Sequence, residues 1–193
     1  MSDRIRTALS GGTFNPIHNG HLAIAQSIIG QGLADCVWLM VTPCNPWKAQ
    51  MSLLPDDLRL AMVRQAVAGM TGIEASDYEF SLPKPSYTAE TLRRLSESYP
   101  DREFILTIGG DNWERFCYWK DWQFILDNFQ VIVYPRRGCS TGDIPSNVTL
   151  LDCPLFDISS TQIRQMVHDG LDITEMVPES VSRTISDLGL YKD

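Results

Sequence analysis

One stretch of the sequence brings glycines, imidazoles and a helix start together: Ser10-Gly11-Gly12-Thr13-Phe14-Asn15-Pro16-Ile17-His18-Asn19-Gly20-His21. Two adjacent glycines let backbone N–H groups come close to a ligand. A helix beginning near Asn19 offers unpaired N–H groups and a partial positive charge in its first turn. His18 and His21 are three residues apart, so both rings reach one side of that turn. Two imidazoles beside a helix N-terminus suit an anion whose charge grows in a transition state. The stretch contains neither G-x-G-x-x-G nor G-x-x-x-x-G-K-[ST], which sets it apart from the dinucleotide fingerprint and the Walker A loop. A plain turn with a capping histidine is the competing reading. A zinc pair would lack both H-E-x-x-H and an evident third ligand.

A second constellation lies late in the chain, at Phe156-Asp157-Ile158-Ser159-Ser160-Thr161-Gln162-Ile163-Arg164. Ser159 with Gln162 three positions on is a capping-box pattern, which accounts for those two residues without a ligand. It does not account for Arg164, because a cation in the first turns of a helix opposes the macrodipole. An anion between the helix start and the guanidinium would resolve the conflict. The hydroxyls of Ser159, Ser160 and Thr161, the free N–H groups and the arginine fork then form a polyphosphate clamp. A structural pairing of Arg164 with a nearby carboxylate is the alternative.

Elements must hold these residues in place. Short runs rich in β-branched and aromatic residues predict strands over Ile5–Leu9, Val37–Val41, Phe104–Ile108, Phe129–Tyr134 and Val148–Leu151. Helical patterns lie between them at His21–Ile29, Asp56–Ala68, Thr88–Leu95, Trp122–Leu126 and Thr161–Val167. In the second, Leu58, Met62 and Ala66 share one face, with Arg59 and Arg64 beside it. A last helix begins after Pro178, carries Val181, Ile185 and Leu188 on one face, and ends at Gly189. Strands alternating with helices imply βαβ units. The expected fold is therefore α/β, a Rossmann-like doubly wound, mainly parallel sheet with helices on both faces. Ligands of such sheets sit at the carboxyl ends of the strands, which marks Gly11–His21, Gly109–Trp119 and Phe156–Arg164.

The 193 residues predict one domain spanning 1–193, long enough to bury a core without disulfides. With 16 Lys plus Arg against 24 Asp plus Glu, the formal charge is −8. Overall repulsion of a phosphate backbone disfavours nucleic acid as a partner, while a locally positive site for a small phosphorylated ligand stays open. No apolar run reaches the ~18 residues of a membrane span, and the N-terminus lacks a signal-peptide pattern. Five widely spaced cysteines, with no C-x-x-C, fit a reducing cytoplasm better than a disulfide framework or a zinc site.

Together the two constellations resemble the nucleotidyltransferase superfamily with the H-x-G-H signature, and within it the bacterial nicotinate-nucleotide adenylyltransferases. Three further segments carry the narrower resemblance. Ser86-Tyr87-Thr88-Ala89-Glu90-Thr91-Leu92 is similar to that family's S-Y-T-x-[DE]-T-L segment. Ile108-Gly109-Gly110-Asp111 followed by Trp119 is similar to its I-G-x-D … W segment. Gly189-Leu190-Tyr191 is similar to its C-terminal ending. Asn15 stands where the family has Asp, which takes one negative charge from the neighbourhood of the phosphates. The loop Pro43-Cys44-Asn45-Pro46-Trp47-Lys48 is shorter than the family's P-x-x-x-P-P-H-K form.

The resemblance implies a single nucleotidyltransferase domain that transfers the adenylyl group of ATP to nicotinate mononucleotide. It implies that His18, His21 and Arg164 act on the phosphates in catalysis. Gly11, Gly12, Thr13, Phe14, Gly109, Asp111, Ser159, Ser160 and Thr161 complete the ATP site. On the acceptor it places Asn45 and Lys48, Trp119 stacked on the pyridine ring, and the Thr88 hydroxyl with the backbone N–H groups around Trp119 and Lys120 at the ring substituent. Trp113, Trp119 and Trp122 as plain core residues, and Thr88 as a helix N-cap, are the competing readings. Magnesium travels with ATP, with no dedicated protein ligands expected. Another small-substrate nucleotidyltransferase, a non-catalytic nucleotide-binding module and a homo-oligomer remain open alternatives.

Overall fold

The computed structural model describes residues 4–43, 53–139 and 144–192. The chain runs β1 (Ile5–Gly12), α1 (Asn19–Gly30), β2 (Cys36–Val41), α2 (Asp56–Val67), β3 (Ile73–Ser76), α3 (Thr88–Ser98), β4 (Arg102–Gly109) and the one-turn α4 (Gly110–Trp113). It continues through α5 (Trp122–Asn128), β5 (Gln130–Tyr134), β6 (Val148–Leu150), α6 (Ser160–His168) and α7 (Glu179–Asp187). Two 3-10 turns, Tyr78–Ser81 and Phe116–Tyr118, lie before α3 and after α4. Among the described residues no helix is long and apolar enough to cross a membrane.

The described strands form one sheet in the order β3-β2-β1-β4-β5-β6, and every neighbouring pair is parallel. β2, Cys-Val-Trp-Leu-Met-Val, is buried along its whole length, as a strand covered on both faces must be. The side-chain period of two then sends alternate residues to two separate cores. Ala8, Leu39, Ile105 and Ile132 meet Leu22 and Ile24 of α1, Met62 of α2, Ile163 of α6 and Val181 of α7. Leu9, Trp38, Leu106 and Val133 meet Leu92 and Leu95 of α3 and Ile125 of α5. The strand order reverses between β1 and β4, so a crevice opens at their carboxyl ends.

The expected architecture and all five expected strands are present, with two differences of substance. β3 is a short edge strand with only Ile73 buried, so its residues show no strand alternation. In α2 the inward face is Arg59, Leu60, Met62, Val63, Ala66 and Val67, and Leu58 is only half-buried. Arg59 is thus inside the protein rather than beside the apolar face.

Candidate active site

The first motif is shaped by the space its rings need. Phe14 sits at a positive φ of 44°, which turns the chain back after β1. A Cβ at Gly12 would lie 3.2 Å from the Phe14 ring and would push that ring from its place. Phe14 meets the edge of His21 at 4.9 Å between centroids, and His21 stacks on His18 at 3.6 Å. A Cβ at Gly20 would come within 3.1 Å of His18 Nδ1 and 3.3 Å of Phe156, which explains the glycine between the histidines. His18 is the N-cap of α1, and its backbone N–H donates to His21 Nδ1 at 3.2 Å. A neutral His21 therefore carries its ring proton on Nε2.

His18 is 3% exposed, and its Nδ1 has no hydrogen-bond partner. Burial, reinforced by the Arg136 charge, lowers its pKa from 6.5 to about 3. At neutral pH it is an uncharged imidazole next to a cation. Arg136 follows β5 and is largely buried beside Tyr134, with Asp111 at 3.8 Å and an unpartnered Nε. The buried His18 Nδ1 without a hydrogen-bond partner and the nearby Arg136 guanidinium mark a place for a ligand. Sequence reasoning passed over Arg136; its position directly after a predicted strand was the available signal.

The second motif docks onto the first. Ser160 Oγ donates to the Pro16 carbonyl at 2.8 Å, and an Arg164 N–H donates to the Asn15 carbonyl at 2.8 Å. Arg164 also reaches Thr161 Oγ1 at 3.3 Å, and no carboxylate pairs with it among the described residues. Ser159 caps α6 by accepting from the Gln162 N–H at 3.2 Å. The first turn of α6 and the turn before α1 thus form one surface, though 144 residues separate Ser160 from Pro16.

Asn15 also holds the turn together. It is 1% exposed, and its Oδ1 accepts from the Tyr191 hydroxyl at 2.9 Å and the Leu54 N–H at 3.4 Å. It is a buried joint that fastens the C-terminal segment to the turn. Arg59, absent from the sequence-based site, fastens the same turn from α2. Its guanidinium donates to the carbonyls of Thr13 at 2.5 Å, Leu54 at 3.0 Å and Thr42 at 3.2 Å, and pairs with Asp56 at 2.5 Å. A lone arginine amid Leu60, Met62 and Val63 was the signal for it.

A cavity of about 100 Å³ opens at the strand ends on the α3 side, lined by Gly11, Thr42, Glu79, Thr88, Gly109, Trp119 and Tyr134 among others. A Cβ at Gly109 would fall 2.5 Å from Asp111 Oδ1 and 3.1 Å from the Tyr134 ring, so a side chain there would displace the Asp111 carboxylate. Trp119 and Thr88 therefore do share a cavity. Trp119 is half-buried and tilted against Phe116 at 5.4 Å, and like Trp113 and Trp122 it packs against the core. Two expectations change, the Thr88 N-cap reading and the free Trp119 N–H. Thr88 is the first residue of α3 and Tyr87 is the N-cap. The Trp119 N–H already donates to the Phe116 carbonyl at 2.9 Å. Lys120 lies over the Tyr87 ring at 4.6 Å and is not among the cavity's lining residues. Asn45 and Lys48 lie outside the described residues.

No group of three or more His, Cys, Asp or Glu residues that could hold a metal ion occurs among the described residues. The donors gathered here are imidazoles, hydroxyls, glycine-rich backbone and guanidinium groups, a set suited to an anion.

A family model described as cytidylyltransferase-like matches residues 9–166. A Bacteroides fragilis protein named probable nicotinate-nucleotide adenylyltransferase is 45% identical over 184 residues, 94% of this chain and 92% of that protein. A Flavobacterium johnsoniae protein of the same name is 41% identical over 196 residues, 97% of this chain and 100% of that protein. Among solved structures, the Plasmodium falciparum nicotinic acid mononucleotide adenylyltransferase complexed with NaAD superposes with a TM-score of 0.82 at 19% identity, covering 97% and 98% of the two chains.

Proposed function

The chain belongs to the cytidylyltransferase-like family and, within it, to the nicotinate-nucleotide adenylyltransferases; from that premise we propose that it transfers the adenylyl group of ATP to nicotinate mononucleotide, giving deamido-NAD and pyrophosphate. The observation that best supports this chemistry is the shared surface of the His18–His21 turn and the first turn of α6. It gathers anion donors on both sides of one spot at the strand ends.

The acceptor phosphate is already ionised at neutral pH, so the reaction needs no strong base from the protein. One acceptor oxygen forms a bond to the α-phosphorus in line with the bond that breaks toward the β-phosphate, and pyrophosphate leaves. Positioning and charge stabilisation are what the protein supplies. His18 and His21 bind the ATP phosphates, with His18 acting as an uncharged donor because of its burial. Gly11, Gly12, Thr13 and Phe14 bring backbone to the nucleotide. Gly109 and Asp111 border it at the end of β4. Ser159, Ser160, Thr161 and Arg164 hold the departing phosphates. Magnesium enters with ATP, and no residue of the chain is assigned as its ligand.

Trp119 and Thr88 receive the pyridine end of the mononucleotide in the cavity they share. With the Trp119 N–H committed to the Phe116 carbonyl, the Thr88 hydroxyl and the Lys120 backbone N–H are the donors for the ring substituent. Pyrophosphate release measured with a panel of phosphorylated acceptors tests the assignment. Nicotinate mononucleotide is expected to give the highest kcat/KM. A higher value with phosphopantetheine, or release independent of acceptor, would overturn it.

A further inference from the structure

Glu79 is a carboxylate in an unusual place. It lies in the 3-10 turn after β3, is 4% exposed, and lines the cavity that holds Thr88 and Trp119. No cation pairs with it among the described residues. Its partners are hydroxyls: Thr91 Oγ1 donates at 2.8 Å and Ser86 Oγ donates at 3.3 Å, with the Thr42 hydroxyl lining the same cavity. Ser86 and Thr91 are themselves buried. Burial pushes the Glu79 carboxyl up from the usual range, and the hydroxyls pull it back. Burying a carboxylate without a counter-ion is costly, and an apolar side chain would fill the same space without that cost.

What the carboxylate holds is specific. Ser86 and Thr91 bracket Thr88, the first residue of α3, whose opening turn is closed by the Thr91 N–H donating to the Tyr87 carbonyl at 3.0 Å. We infer that Glu79 is a positioning residue for the acceptor: it fastens both ends of the Ser86–Thr91 segment and thereby sets where Thr88 meets the pyridine end of the mononucleotide. This rests on the acceptor assignment above. Glu79 itself need not touch substrate. The inference also gives Ser86 and Thr91, which line the same cavity as Thr88, a physical reason within the S-Y-T-x-[DE]-T-L segment.

The test uses the full chain, with kcat and both KM values measured for Glu79→Asp, Thr91→Val and Thr91→Ser. Asp retracts the carboxylate by one methylene. Val keeps the shape of Thr91 without its hydroxyl, and Ser restores the hydroxyl. Losing a hydrogen bond to a buried charged group should raise KM for nicotinate mononucleotide about tenfold in Glu79→Asp and Thr91→Val. KM for ATP should stay within about twofold, because the phosphate side is untouched. Thr91→Ser should bring KM for the mononucleotide back toward wild type. Equal rises in both KM values, a change confined to the melting temperature, or equal behaviour of Thr91→Val and Thr91→Ser would overturn the inference. Should Glu79→Asp not fold, the Thr91 pair decides alone. A wild-type chain that does not adenylylate nicotinate mononucleotide overturns the acceptor assignment and this inference with it. Wild-type activity without the KM split overturns the inference only.

Discussion

The phosphate side and the acceptor side of the site are built by different means. On the phosphate side, position is enforced over a dozen residues of continuous chain. Gly12 makes room for Phe14, Phe14 meets His21, His21 stacks on His18, and Gly20 makes room for the His18 ring. Arg59 and Tyr191 then fasten that turn from below through the Thr13 carbonyl and the Asn15 side chain. On the acceptor side, Thr88 and Trp119 come from separate connections, each shaped by its own turn. Thr88 depends on a buried carboxylate and two hydroxyls, and Trp119 leans on Phe116. On the proposed function, the first half is a prearranged set of donors for charge that develops during reaction. The second is a receptacle whose shape selects a partner. Damage to the first should therefore appear in kcat, and damage to the second in the KM of one substrate.

The widest separation is expected from His21→Ala. Loss of one preorganised transition-state donor lowers kcat by about 10²–10³, with the fold intact by circular dichroism. An unchanged kcat would remove His21 from the mechanism and break the division between the halves. Next is Trp119→Ala, measured by steady-state kinetics in both substrates. Loss of one aromatic stack costs roughly 1–3 kcal/mol, felt in KM for the mononucleotide and not for ATP. Equal damage to both KM values, or a lower melting temperature alone, would identify Trp119 as a core residue like Trp113.

Arg164→Lys sharpens the phosphate side. A point charge cannot reproduce a planar fork, and kcat/KM should fall by about tenfold. Full activity with Lys would mean that charge alone suffices. The smallest effect concerns stability. His18 has its pKa lowered from 6.5 to about 3, so the unfolded chain binds the extra proton first as pH falls. The His18 contribution is complete above the unfolded value and lost progressively as pH falls from about 6.5 to about 3. Between pH 7.5 and 5.5 the loss attributable to His18 is about 1.4 kcal/mol. Denaturant unfolding of wild type and His18→Asn at both pH values reads the difference. Parallel pH dependence in the two proteins would contradict a buried neutral His18.

The same contrast decides how much of the molecule was legible in its sequence. Strands buried on both faces announce themselves as apolar runs, and β2 and β5 are of that kind. β3 does not, being four residues long with one buried side chain. The His18–Gly20–His21 geometry and the Ser159 cap follow from spacing along one helix turn and were readable directly. Arg59, Glu79 and Tyr191 were not, because what makes them matter is a partner 46 residues away at Thr13, 12 away at Thr91 and 176 away at Asn15. The direction of the Lys120 side chain was unreadable for another reason. Its neighbour Trp119 faces the cavity, but Lys120 is drawn onto the Tyr87 ring. Side-chain direction in an irregular connection has no period from which to read it.

Transfer of label from ATP carrying radioactive phosphorus at the α position tests the central claim most directly. The account predicts that the label appears in deamido-NAD, one molecule for each pyrophosphate released, only when nicotinate mononucleotide is present and with unlabelled pyrophosphate as the other product. Label appearing in free AMP, or remaining in ATP while pyrophosphate-independent products form, would contradict adenylyl transfer to this acceptor.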